Sequence, residues 1–114
     1  MYESIFVHVP VNEVIKHIDS TNPHRGTSRD AWAGIGSSFN LARWYKGKLH
    51  ISELPNVFPA SRRDVKRYAK FGKNFPAIVV IVNNGTIEVI DGVHRVAAAR
   101  IIGLDIIDAY VGLI

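Results

Sequence analysis

The chain has 114 residues, of which 47% are hydrophobic, 14 are Lys or Arg and 10 are Asp or Glu, and its formal net charge is +4. This length predicts one domain, and the charge favours a polyanionic partner without choosing between a nucleotide and a nucleic acid. The absence of cysteine excludes disulfides and thiol chemistry. The apolar run 77–82 is too short to cross a bilayer and no secretory signal is visible, so we expect a cytoplasmic protein with no membrane partner.

The N-terminal half predicts a strand, a helix and an aromatic-rich segment. Apolar residues alternate over 5–11, which is typical of a strand in the main sheet, and Asn12 is placed to cap a short amphipathic helix. We interpret residues 26–60 as an insert that sets the identity of the partner. Within it, Ser38 is placed to cap a helix that carries Trp44. The aromatic residues of the insert fit either a packed core or a surface that stacks on a base or a substrate ring.

The segment after residue 60 predicts a strongly basic helix. Ser61 and Asp64 have the spacing of a capping box, in which the serine caps the helix. Six basic side chains share the surface of this helix with one acid. They are Arg62, Arg63, Lys66, Arg67, Lys70 and Lys73. Two interpretations stand, an ordinary solvated surface and a surface that contacts DNA or RNA.

The C-terminal part predicts a hairpin, a helix and a last strand. Residues 77–82 are almost continuously apolar, as expected of a strand inside a sheet. Asn84-Gly85 is a strong type I′ hairpin signal that joins this strand to the alternating strand 86–90. An alanine-rich helix follows, and Gly103 is placed to end it in a left-handed conformation.

The turn between the second hairpin strand and this helix has the sequence Asp91-Gly92-Val93-His94-Arg95. Because backbone N–H groups at a helix N-terminus attract anions, the turn predicts a phosphate site. His94 and Arg95 lie at the end of the helix where the dipole disfavours positive charge, so they require an anionic partner. The alternative is a purely structural strand-turn-helix whose arginine packs outward.

This turn, with the alanine-rich helix and the final strand at 106–111, resembles the phosphate-binding box of the ParB/sulfiredoxin superfamily. The resemblance covers residues 75–111 and is poor in the middle of the chain. It implies an α+β fold over residues 1–114, with a small mixed sheet flanked by helices. Members of the superfamily bind and hydrolyse CTP, use ATP, phosphorylate free serine or are described as nucleases. Sulfiredoxin chemistry is excluded, because Val93 stands where that family has its reactive cysteine.

The resemblance implies that the turn holds the phosphates of a nucleotide. Gly92 and Val93 contribute backbone amides, Arg95 neutralises phosphate charge, and His94 donates a hydrogen bond or transfers a proton. Three roles are open for Asp91: a helix cap, a general base, or a ligand of a Mg²⁺ ion that accompanies a nucleoside triphosphate or diphosphate.

A second phosphate contact is predicted at Arg25. It belongs to an Asn-Pro-x-x-Arg segment similar to a box that follows the first strand and helix in ParB proteins. An arginine suits this role because its planar guanidinium binds phosphate oxygens bidentately. The alternative is a turn with a solvated arginine.

The predicted function is therefore binding of a nucleoside phosphate, with hydrolysis or transfer of its phosphate by His94 and Asp91. An enzyme of this kind would be a Mg²⁺-dependent phosphohydrolase or phosphotransferase, or else a nuclease. The first alternative is a ParB-like DNA nuclease or a non-catalytic DNA-binding protein that uses the basic helix 62–73. The second is a small toxin or inhibitor that uses the pocket for recognition.

Overall fold

The computed structural model describes residues 5–21, 40–70 and 75–114, and it confirms the predicted α+β class. Within these residues, three complete helices pack against one sheet of five strands. The helices are α1 (Val11–Thr21), α2 (Arg62–Lys70) and α3 (Val93–Ile101). The strands are β1 (Val7–Val9), β2 (Arg43–His50), β3 (Ile78–Asn83), β4 (Thr86–Asp91) and β5 (Ile106–Leu113). A 3₁₀ turn, Ile51–Glu53, follows β2.

The sheet is mixed, with the strand order β1-β2-β5-β3-β4. Strands β3 and β5 are parallel, and every other neighbouring pair is antiparallel. The apolar run of β3 lies inside the sheet, as predicted, because β5 and β4 flank it. The type I′ hairpin is also confirmed, since Asn84 and Gly85 have positive φ angles of 52° and 78°.

The two faces of the sheet bury separate apolar clusters. On one face, Ile78 and Val80 of β3 pack with the helices α2 and α3, which contribute Val65 and Val96. On the other face, alternate residues of the same strand pack with α1. This second cluster contains Val9, Val14, Ile18, Trp44, Ala77, Val79, Ile81 and Tyr110. The two-sided burial of β3 explains why its sequence is nearly continuously apolar.

The prediction that a helix carries Trp44 is wrong, because the helical residues 40 and 41 are followed by β2, which begins at Arg43. Strand β2 pairs with β1 on one side and with β5 on the other, so part of the predicted insert belongs to the sheet. Trp44 is 1% exposed and lies opposite Gly112 of β5. A Cβ atom at that glycine would lie 2.9 Å from the indole ring, so the glycine makes room for the tryptophan. Residues 26–39 of the insert lie outside the described residues.

The N-terminal strand is shorter than predicted and ends before Pro10. Helix α1 follows at once, and the Glu13 N–H donates to the Pro10 carbonyl at 3.0 Å. The predicted end of α3 is confirmed, since Gly103 has a φ of 75° and the next N–H, that of Leu104, returns to the Ala99 carbonyl at 3.0 Å. In the described part of the chain, no helix has the length and apolar character needed to span a membrane.

Candidate functional site

The predicted turn lies in a cleft at the N-terminus of α3. The cleft has a volume of about 290 Å³ and is lined by residues 90–95 together with Phe58, Ala60 and Tyr68. Phe58 follows the 3₁₀ turn and is 90% exposed, whereas Tyr68 comes from α2 and is half-buried. Neither aromatic residue of the cleft is predicted as a site residue from the sequence. Tyr68 has the helical spacing of a core residue, and Phe58 lies in a connector without periodicity.

Helix α3 begins at this cleft with N–H groups that have no partner among the described residues. Gly92 occupies the cap position, and the first intrahelical bond runs from the Val96 N–H to the Gly92 carbonyl at 2.9 Å. The preceding N–H groups, those of Val93, His94 and Arg95, find no acceptor within the described residues. These amides carry the positive end of the helix dipole and are available to an anion.

Gly92 is required by the protein's own packing. Its φ of 109° is a conformation that other residues rarely adopt, and a Cβ atom here would lie 2.5 Å from Cγ2 of Ile78. The sequence predicts a different reason for this glycine, the close approach of a phosphate. The prediction that Asp91 caps the helix is wrong, since Gly92 holds the cap position and makes no side-chain cap bond.

The carboxylate of Asp91 forms a buried ion pair with Arg95. Asp91 Oδ2 and Arg95 Nη2 are 2.9 Å apart, and the two side chains are 7% and 3% exposed. Arg95 Nη1 also donates to the carbonyls of Ala77 at 2.7 Å and Pro76 at 3.1 Å. The anionic partner that the arginine required therefore comes from the chain itself, and the alternative in which this arginine packs outward is wrong.

Helix α1 contacts this ion pair through one side chain and the Ala77 carbonyl, which also accepts from Arg95, through another. Thr21 Oγ1 donates to Asp91 Oδ2 at 3.1 Å, and His17 Nε2 donates to the Ala77 carbonyl at 2.6 Å. No local sequence pattern connects these residues with the turn. We call Asp91, Arg95, Thr21 and His17 the buried network. It fastens α1, the start of β3, the end of β4 and the start of α3 to one another.

Tyr110 adds a titratable group beside the buried network. Its ring centre lies 4.9 Å from that of His17, and its hydroxyl donates to Glu13 Oε2 at 2.9 Å. Burial, reinforced by the hydrogen bond and the charge of Glu13, raises the pKa of Tyr110 from 10.0 to about 12. The folded protein thus favours the neutral phenol.

His94 links the N-termini of α2 and α3. Its Nε2 accepts a hydrogen bond of 3.2 Å from the Ser61 N–H, so the neutral ring in this contact carries its proton on Nδ1. Ser61 Oγ in turn accepts from the Asp64 N–H at 3.2 Å, which confirms Ser61 as the cap of α2. In a capping box the third helical side chain would bind the cap N–H; here a histidine from another helix does so.

The basic side chains predicted on α2 are exposed where the structure describes them. They are Arg62, Arg63, Lys66, Arg67 and Lys70. Arg67 lies 5.5 Å from the centre of the Tyr68 ring and 3.7 Å from the Asp64 carboxylate. Since Tyr68 lines the cleft, the basic surface of α2 borders it. Lys73 and the second predicted phosphate ligand, Arg25, lie outside the described residues.

No family model, curated protein or solved structure matches the chain. The resemblance of residues 75–111 to the ParB/sulfiredoxin superfamily therefore stays a prediction. The geometry of the cleft residues is therefore the basis for assigning their chemistry.

Asp91, the predicted Mg²⁺ ligand, also serves the buried network, and its metal role stays a prediction. Among the described residues that line the cleft, Asp91 is the one carboxylate, and its Oδ2 already accepts from Arg95 and Thr21. A metal ion at Oδ2 would compete with the buried guanidinium of Arg95. Across the described ranges, no group of three or more His, Asp or Glu side chains is placed to hold a metal ion.

Proposed function

We propose that the protein binds a nucleoside phosphate in the cleft at the N-terminus of α3. The observation that carries this proposal is the group of N–H donors at Val93, His94 and Arg95, which have no acceptor in the described part of the chain and border an open cleft. Such a helix end combines directed donors with the positive end of the dipole, and both favour a phosphate.

Phe58 supplies a surface for the base. A phenylalanine ring that is 90% exposed at the edge of a cleft can stack on a nucleobase without any change in its own packing. The cleft volume of about 290 Å³ is at the lower end of the range for small-molecule sites. It accommodates the phosphate and sugar, with the base extending onto Phe58.

Binding is better supported than turnover. A general base must have a carboxylate or ring nitrogen free to take a proton, yet Asp91 is held in a buried ion pair and His94 Nε2 accepts from Ser61. Hydrolysis or phosphate transfer would require one of these contacts to open. The predicted phosphohydrolase, phosphotransferase and nuclease activities are therefore secondary proposals.

Substitution of Val93 tests the proposal, because this residue is the first of α3 and lines the cleft. Val93→Glu adds a carboxylate where the helix dipole stabilises it, so the fold is retained while the anion site is filled from within. We expect it to weaken nucleotide binding by about tenfold or more, the loss of a charge-assisted contact. Val93→Gln has nearly the same shape without the charge and should bind like the wild type.

The measurement is a thermal-shift panel of nucleoside mono-, di- and triphosphates, with and without Mg²⁺. A ligand that binds only the folded state raises the melting temperature by mass action. Phosphate release, followed on the same preparation, reports turnover. Equal nucleotide binding by Val93→Glu and Val93→Gln would refute the α3 site.

Nucleic-acid binding by α2 is the second candidate function. Its nine residues include five exposed basic side chains and a single acid, Asp64, so most of its charge is not neutralised within the helix. A nucleic acid is the common polyanion that such a surface binds, through release of counterions from the phosphates.

A further inference from the structure

The cleft and the basic surface of α2 form one continuous surface. The Ser61–His94 hydrogen bond of 3.2 Å joins the first turns of α2 and α3. Tyr68 belongs to α2 and lines the cleft, and the guanidinium of Arg67 lies over its ring. A ligand that is longer than the cleft therefore meets α2 as soon as it leaves.

The basic side chains of α2 fall into two rows by helical spacing. Arg63, Arg67 and Lys70 follow the i, i+4, i+7 pattern of one helix face. Arg62 and Lys66 precede Arg63 and Arg67 by one residue, about 100° around the axis, and Lys70, four residues after Lys66, lies at the edge of the face nearest to them. The first row contains Arg67, which contacts the cleft residue Tyr68. We call Arg63, Arg67 and Lys70 the near row.

We propose, building on the nucleoside-phosphate site above, that the ligand is the phosphorylated end of a single-stranded nucleic acid. The terminal phosphate binds the amides at the start of α3, the terminal base stacks on Phe58, and the following phosphates run along the near row. The near row is about 10 Å long, since seven residues of helix rise by this distance.

The single strand is favoured over a free nucleotide and over a duplex. A free nucleotide would not reach the exposed charges of the near row, of which only Arg67 has an acidic neighbour among the described residues, Asp64 at 3.7 Å. A duplex would supply phosphates for these charges, but pairing fixes the orientation of its terminal bases, whereas an unpaired terminal base can turn onto Phe58, which is 90% exposed. A cationic row beside an exposed aromatic ring is the arrangement by which proteins bind unpaired strands.

The first experiment measures fluorescence anisotropy with labelled strands of about ten nucleotides, a usual site size for such proteins. The same sequence is supplied with a 5′-phosphate, a 3′-phosphate or no terminal phosphate, as DNA, as RNA and as a blunt duplex. We expect one terminal phosphate to tighten binding of the single strand by about tenfold, the effect of one charge-assisted contact. The duplex should gain less than threefold. Comparison of the 5′- and 3′-phosphorylated strands gives the polarity of the bound strand. Comparison of DNA with RNA gives the preferred sugar.

The second experiment compares two double variants that lose the same charge. Arg63→Gln with Arg67→Gln removes two members of the near row, and Arg62→Gln with Lys66→Gln removes two charges from the other row. We expect the first variant to weaken strand binding by about tenfold and to reduce the slope of log Kd against log salt by about 1.4, as two phosphate contacts are lost. The second should lose no more than about threefold.

The outcomes separate this proposal from the one on which it rests. If mononucleotides bind at the start of α3 but a terminal phosphate does not improve strand binding, the strand proposal fails and the nucleotide site stands. If neither mononucleotides nor phosphorylated strands bind, both fail. Equal losses of strand affinity in the two double variants would show that binding depends on net charge alone. This result would refute a specific role for the near row.

Discussion

The buried network and the cleft, which lie on two sides of the turn 91–95, use polar groups in opposite ways. In the buried network, Asp91 and Arg95 are 7% and 3% exposed and bind each other, and Ala77 adds a carbonyl acceptor. At the cleft, the amide of Val93 has no acceptor in the described residues and the neighbouring charges of α2 are exposed. Removal of a charge from the buried network should therefore destabilise the fold strongly. Removal of an exposed charge, which is available to a partner, should destabilise it little.

The strongest test of this distinction is Arg95→Met. It should lower the free energy of unfolding by about 3–5 kcal/mol, because it leaves the Asp91 carboxylate buried without its cation. Urea unfolding measures the effect. A loss below about 1 kcal/mol would mean that the pair behaves like a surface salt bridge and that the buried network does not hold the fold.

The matched control is Arg95→Met combined with Asp91→Leu. Replacing both members of a buried pair by apolar side chains removes the uncompensated charge, so most of the lost stability should return. Without such recovery, the damage would come from the carbonyls of Pro76 and Ala77, which also lose their donor.

An intermediate effect on the free energy of unfolding is expected from the ionisation of Tyr110. Because burial and Glu13 raise its pKa from 10.0 to about 12, the neutral phenol contributes stability that is complete below pH 10 and is lost as the pH rises through 12. The difference in pKa corresponds to about 2–3 kcal/mol. Unfolding free energies measured between pH 9 and 12 follow the loss.

Tyr110→Phe isolates this contribution, since the other alkaline groups titrate in both proteins. The variant loses the hydrogen bond to Glu13 at every pH, but its stability should fall less steeply between pH 10 and 12. Identical slopes in the variant and the wild type would contradict the burial of the phenol.

The smallest effect is expected at His94, on the cleft side of the comparison. His94→Ala should cost about 1 kcal/mol, because the Ser61 N–H loses its acceptor. His94→Gln places an amide oxygen near the position of Nε2 and should lose less. Hydrogen exchange of the Ser61 amide distinguishes the two, with faster exchange expected in the alanine variant alone. Equal exchange would show that the two helices are not coupled by this bond.

Local signals predicted the parts of the fold that depend on neighbouring residues. The hairpin at Asn84 and Gly85, the cap at Ser61 and the end of α3 at Gly103 were all predicted, because each depends on backbone conformation or on a contact within one turn. Strand β2 was missed. Trp44 has its place because Gly112 of a distant strand lies opposite, which no local pattern contains.

The candidate site divides in the same way. The sequence by itself determined a strand, a glycine turn and a helix whose first residues include an arginine that needs an anion. Only the tertiary structure decided that this anion is Asp91, that α1 completes the contact through Thr21, and that Phe58 and Tyr68 form the cleft walls. The physical reason is burial: whether a charge meets water, a ligand or another side chain depends on which distant elements cover it, and that is set by packing of the whole chain.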